Sequence, residues 1–216
     1  MIVSHKHKLI FTHIPKNAGT SIRQWFTDNV PDAESETGKH QTPHHVHTRH
    51  WDDYTYFAVV RNPYDRLLSQ YHFHLERYDA YVQPKSKLAR KQVFQDKYAE
   101  LREGFGPWLE HPYPIADRQA KWYDYRWCPQ SMWCNERTHV LKYERLDRDF
   151  RWVQEQVGVS APLETLNTTN ANTDHRLSAN SVLLAPHRDL IKGHLMVDFK
   201  RFGYAPNFDR SGQDFK

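Results

Sequence analysis

Cysteine is scarce in this chain: Cys128 and Cys134 are the only two in 216 residues. That number excludes a disulfide framework and allows one local bridge at most, two reduced thiols being the plainer reading. Long apolar runs are missing too, and none approaches the roughly 18 residues that a membrane span requires. The opening stretch MIVSHKHKLIFTHIPKN has an apolar part too short and too interrupted for a secretory core, so the expectation is a soluble, cytoplasmic protein with no membrane partner. A large excess of one charge is also absent: 30 Lys and Arg stand against 26 Asp and Glu, a net charge of +4. Without a concentrated basic stripe, RNA and DNA are disfavoured as partners, and a nucleotide or a polyanionic sugar suits the modest surplus better. Internal repeats, low-complexity tracts and linker-like stretches are lacking, and one core over residues 1–216 is expected.

What is present is a globular composition, 38% hydrophobic and 14% aromatic. A mean hydropathy of -0.88 adds the expectation of long solvated loops. Leu9 to Ile14 is a β-prone run stopped by Pro15, and Ile22, Trp25, Phe26 and Val30 follow at helical spacing. Tyr56 to Val60 reads as a strand buried on both faces, after which Pro63 opens a helix with Leu67, Leu68, Tyr71 and Leu75 on its buried side. Two strand–loop–helix units in succession predict an α/β fold, a P-loop-like central parallel sheet flanked by helices, with ligands at the strand C-termini. Farther along, Thr138–Lys142 reads as a strand and Leu146–Val157 as a helix stopped by Gly158. Ile191, Leu195, Phe199 and Phe202 form the stripe of a last helix. Residues 76–118 suggest surface helices and a turn at Gly104–Pro107.

Two motifs carry chemistry. HIPKNAGTS, His13 to Ser21, sets a lysine, a glycine and two hydroxyl residues between a strand and a helix, which makes an anion cradle. Its lysine precedes the glycine, unlike the Gly-Lys-Ser/Thr of nucleoside-triphosphate loops, where the hydroxyl holds Mg²⁺. RNPYDRLLS, Arg61 to Ser69, follows the second strand directly.

Together these segments resemble the 5′-phosphosulfate and 3′-phosphate motifs of sulfotransferases that use 3′-phosphoadenosine-5′-phosphosulfate (PAPS, product PAP). The pattern is most similar to the carbohydrate group that contains the uronyl 2-O- and chondroitin 4-O-enzymes. The resemblance implies that Lys16, Asn17, Ala18, Gly19, Thr20 and Ser21 hold the 5′ end, with Lys16 also catalytic and restrained by Ser21 until substrate arrives. It implies that Arg61 and Ser69 bind the 3′-phosphate, the group that distinguishes PAPS from ATP. KYERL, Lys142 to Leu146, is similar to a segment whose aromatic residue contacts adenine; that makes Tyr143 the candidate, with plain core packing as the alternative. Arg66 reads as a structural ion-pair residue. WCPQ (Trp127 to Gln130) and FGY (Phe202 to Tyr204) resemble further segments of carbohydrate members and identify no reaction.

Sulfuryl transfer needs a base for the acceptor proton and positive charge on the leaving phosphate, and it requires no metal. The loop TPHHVHTRH supplies His44, His45, His47 and His50. A His-Val pair in related enzymes selects His45 as general base, with His47 in reserve. A metal site in this loop finds no supporting cysteine pair or acidic ligand, and solvated surface is the alternative for at least two of the four. The acceptor is expected to be a hydroxyl, on a carbohydrate by resemblance, selected by loops at 32–55 and 76–135; no motif speaks to oligomeric state. Two rival functions are a P-loop kinase of a small molecule and a non-catalytic module holding sulfated glycans or single-stranded nucleic acid.

Overall fold

The apolar runs become strands. In the computed structural model, which describes residues 1–35, 40, 42, 52–81, 101–110, 125–166 and 185–207, five strands form one sheet. They are β1 (Ile2–Ser4), β2 (Leu9–Thr12), β3 (Ala33–Glu34), β4 (Thr55–Val60) and β5 (Thr138–Lys142). Their order is β3-β1-β2-β4-β5. The expected parallel pairing holds for β2 with β4, through Thr12 opposite Ala58, and for β4 with β5, through Val60 opposite Lys142. The sheet as a whole is mixed, because β1 runs antiparallel to both β2 and β3. Only the short turn His5–Lys8 joins β1 to β2, and a parallel return would need a crossover of about a dozen residues or more.

Residues along each strand alternate between two apolar layers. Phe11, Phe57, Val59 and Leu141 share one buried cluster with Ile22, Trp25 and Phe26 of α1 (Gly19–Asn29), whose helical spacing was legible in sequence. Ile10, Tyr56, Val3 and Met1 form the other. From Tyr56 to Val60 every residue of β4 is buried, as a central parallel strand requires. The helix expected over Leu146–Val157 is two pieces, α4 (Leu146–Asp149) and α5 (Arg151–Val157), parted at Phe150, whose ring enters the core beside Trp25 at 5.0 Å. Gly158 ends α5 at φ 70° while the Val159 N–H reaches back to Gln154 O at 3.0 Å, the left-handed cap that glycine favours.

The chain divides into two compact units. The first comprises Met1–Asn62, Pro129–Thr168 and Lys200–Gly203 and contains the sheet; the second comprises Pro63–Cys128, Thr169–Phe199 and Tyr204–Lys216. Within the second, α2 (Pro63–Tyr81) buries Tyr64, Leu67, Leu68 and Tyr71, whereas Leu75 is only half-buried. Tyr64 packs at 5.0 Å on Phe199, from the stripe Ile191, Leu195, Phe199 of α6 (Ala185–Phe202). Burial pushes the Tyr64 phenol up to about 12, and it donates to Pro206 O at 2.7 Å. Of the segment read as surface helix and turn, the described residues 101–110 contribute to the core: Gly104 bends the chain at φ 120°, and α3 (Phe105–Glu110) then buries Phe105, Trp108 and Leu109. Pro107 sits in the first turn of α3, where it removes no helical hydrogen bond. Among the described residues no helix is long and apolar enough to cross a membrane.

Candidate active site

Since β2, β4 and β5 are parallel, their C-terminal ends share one edge of the sheet, the usual place for ligands in such folds. At that edge the loop His13–Ala18 links β2 to α1. Its backbone is left-handed at Lys16 (φ 72°) and at Ala18 (φ 57°), conformations that cost non-glycine residues about 1–3 kcal/mol each and persist only when the surroundings impose them. Asn17, between the two, supplies the constraint. Buried to 1% exposure, it donates from Nδ2 to Val59 O at 2.8 Å and to Gln130 Oε1 at 2.7 Å. Among the described residues no side chain caps α1, and no acidic residue stands in its first turn, so the positive end of the helix is suited to an anion.

Gly19 has a different reason from the one its motif suggests. A Cβ here would overlap the imidazole of His13, so the glycine makes room for a side chain of the protein rather than for a ligand alone. His13 is buried at 3% exposure, stacked on Phe11 at 5.7 Å and edge-on to His40 at 4.5 Å. Ser21 is engaged by the chain itself. Its hydroxyl accepts from the Leu166 N–H at 2.9 Å and approaches Leu166 O at 3.4 Å, a use other than restraining Lys16. Thr20 is the exposed hydroxyl of the motif.

Arg61 leaves the end of β4 with its guanidinium carbon 4.2 Å from the centre of the Tyr143 ring. Two residues chosen separately from sequence thus come together. Tyr143 is half-buried and packs on the sheet cluster as well, so the core and ligand readings of this residue are compatible. The Arg61 main chain is gripped by one side chain: Gln130 Oε1 accepts from Arg61 N–H at 2.9 Å, and Gln130 Nε2 donates to Arg61 O at 2.8 Å. Glu144 Oε1 accepts from the next N–H, that of Asn62, at 2.6 Å. The end of β5 is fixed by Asp149, which accepts from Lys142 N–H at 3.0 Å and from Arg145 Nε at 2.8 Å. Burial alone would raise the Asp149 carboxyl, but these bonds and that from Arg148 outweigh it and hold it below the ordinary range.

Two parts of this sheet edge carry groups suited to anions. The loop offers a lysine and a helix N-terminus, and Arg61 Nε is a buried donor with no hydrogen-bond partner among the described residues. Ser69 lies half-buried on α2, in the second unit. His44, His45, His47 and His50 lie outside the described residues. Arg66, read as an ion-pair residue, is fully buried and donates to Cys128 O at 2.8 Å. Cys128 and Cys134 are not joined in a disulfide. Among the described residues no three His, Cys, Asp or Glu side chains gather to hold a metal ion. Sequence reasoning assigned no role to His13, His40, Glu144 or Gln130, although His13, Glu144 and Gln130 lie in the segments HIPKNAGTS, KYERL and WCPQ.

Residues 1–205 match the sulfotransferase family, a span that runs through both units. The chain belongs to that family. Neither a curated protein nor a solved structure matches it significantly. Membership makes the protein an enzyme of sulfuryl transfer and turns the anion-binding edge of the sheet into its candidate active site.

Proposed function

We propose that the enzyme takes its sulfuryl group from PAPS and passes it to a hydroxyl of a carbohydrate acceptor. The observation that carries this reading is the pairing of two anion-binding elements on one sheet edge: the loop around Lys16, and Arg61 stacked on Tyr143. PAPS supplies an activated sulfuryl group between a 5′-phosphate and the acceptor. Lys16 and the first amides of α1 hold the 5′ end, and Lys16 places positive charge where the departing phosphate gains negative charge. Arg61, with Ser69, binds the 3′-phosphate, and Tyr143 offers its ring to the adenine. His45 takes the acceptor proton, at an imidazole whose ordinary pKa suits the task. The carbohydrate acceptor rests on the likeness of the HIPKNAGTS and RNPYDRLLS motifs. A single catalytic domain over 1–216 is part of the proposal, supported by one family match through both units.

Calorimetry with PAP, AMP and ATP tests the donor. PAP is expected to bind far more tightly than AMP, and equal affinities would remove PAPS. For the base, His45→Ala should lower kcat by about 10²–10⁴-fold with PAP affinity intact. Near-normal rates in His45→Ala, with the loss in His47→Ala instead, would move the base two residues along.

A further inference from the structure

We infer that Gln130 is a positioning residue that holds the Lys16 loop and Arg61 in one register, so that a ligand phosphorylated at both ends is gripped at both. The inference rests on the donor reading above and goes beyond it, since the motifs assign Gln130 no part in binding.

Gln130 is fully buried and opens a 3₁₀ turn, Gln130–Trp133, after Pro129. A buried primary amide is costly unless its polar atoms are paired, and here they are paired in a particular way. Oε1 accepts from Asn17 Nδ2 at 2.7 Å and from Arg61 N–H at 2.9 Å, while Nε2 donates to Arg61 O at 2.8 Å. The side chain therefore pairs with Arg61 as a neighbouring strand would. The last backbone pair of β4 with β5 is Val60 with Lys142, and the last of β2 with β4 is Thr12 with Ala58. Beyond those points the ladder is continued by side-chain amides, Asn17 to Val59 and Gln130 to Arg61.

The turn that carries Gln130 is anchored in its own right. Arg201 donates to Cys134 O at 3.1 Å and to Asn135 O at 3.2 Å, and Trp133 Nε1 donates to His40 O at 3.0 Å. Gln130 thus links a fixed turn to the loop on one side and to the root of the Arg61 side chain on the other. Phosphate recognition by a guanidinium depends on placement within about 0.5 Å, so a support that fixes both N–H and C=O of Arg61 governs how well its charge meets a 3′-phosphate.

The test compares PAP and AMP binding by calorimetry in wild type, Gln130→Met, Gln130→Glu, Arg61→Ala and the double variant Arg61→Ala/Gln130→Met, each checked for folding by thermal melting. The wild-type preference for PAP over AMP should fall by about tenfold in both Gln130 variants, the effect of one displaced charge-assisted contact. In the Arg61→Ala background the Gln130 change should leave the ratio where Arg61→Ala alone puts it. If Gln130→Met does not fold, Gln130→Glu carries the comparison, because it keeps the shape and the acceptor toward Asn17 while setting a carboxylate oxygen, in place of the donor, against Arg61 O. A merely structural role would weaken PAP and AMP in equal proportion; an unchanged ratio in the Gln130 variants, with a clear wild-type preference, overturns this inference alone. Equal wild-type affinities for PAP and AMP overturn the donor reading and the inference with it.

Discussion

Two junctions follow parallel strands in this enzyme, and they are built by opposite means. After β2 the chain takes six residues, His13 to Ala18, to reach a helix, and it accepts left-handed backbone at Lys16 and Ala18 on the way. After β4 it takes two, Arg61 and Asn62, with neither at positive φ and with proline opening the helix. The long junction brings main-chain amides and one lysine to a point, which suits charge that builds up during reaction. The short one presents a single guanidinium laid on Tyr143 and rooted by Gln130 and Glu144, which suits recognition of a fixed group. Under the roles proposed for Lys16 and Arg61, the comparison makes catalysis and discrimination separable.

Lys16→Ala attacks the long junction and carries the largest expected effect. Turnover should fall by about 10²–10³-fold, with PAP affinity reduced far less, because the charge matters most as the phosphate departs. A steady-state assay showing higher KM at unchanged kcat would make Lys16 a binding residue and dissolve the division.

Arg61→Ala attacks the short junction. It should remove most of the preference for PAP over AMP, about 1.5–3 kcal/mol for a hydrogen bond to a charged group, and leave AMP binding nearly unchanged. Calorimetry reads both numbers in one series. If AMP binding collapsed as well, Arg61 would be holding the site together and not reading the 3′-phosphate.

The strands, the helix faces and the two motifs were legible because each is local. Five consecutive apolar residues in β4 announce burial on both sides, and Ile22, Trp25 and Phe26 mark the inner face of α1 at helical spacing. What escaped was non-local or interrupted. Gln130 meets Asn17 across 113 residues, a pairing of polar side chains with no periodic trace. β1 and β3 are too short to show alternation, and the apolar spacing of Leu101, Phe105, Trp108 and Leu109 was masked by Gly104 and Pro107, which read as a turn. The steric reason for Gly19 was not legible, since its neighbour His13 looks in sequence like any residue at the end of a strand.

That neighbour sets the third prediction, which sharpens the comparison by asking what supports the long junction. Gly19→Ala must displace the His13 ring from its place between Phe11 and His40, and overpacking of this kind costs about 1–3 kcal/mol. Denaturant unfolding should show the loss. The double variant His13→Ala/Gly19→Ala should be no less stable than His13→Ala alone, because the clash has gone; an additive penalty would mean that Gly19 is needed for its backbone instead.

The smallest effect expected is from Ala18→Gly. Ala18 sits at φ 57° and ψ 13° just before α1, where the Cβ crowds the following carbonyl at a cost of about 1–2 kcal/mol that glycine would not incur. Against this, glycine gives the unfolded chain more freedom, worth about 0.4–1 kcal/mol in the other direction. The balance is a gain in stability of up to about 1 kcal/mol, visible as a small rise in Tm. The same change removes stiffness from the loop proposed to cradle the 5′ end, so PAP affinity should fall severalfold as preorganisation is lost. Stability and affinity moving in opposite directions in one variant is the signature of strain held for binding. A drop in Tm would show that the left-handed turn at Ala18 is not strained, and the contrast between the two junctions would then rest on charge alone.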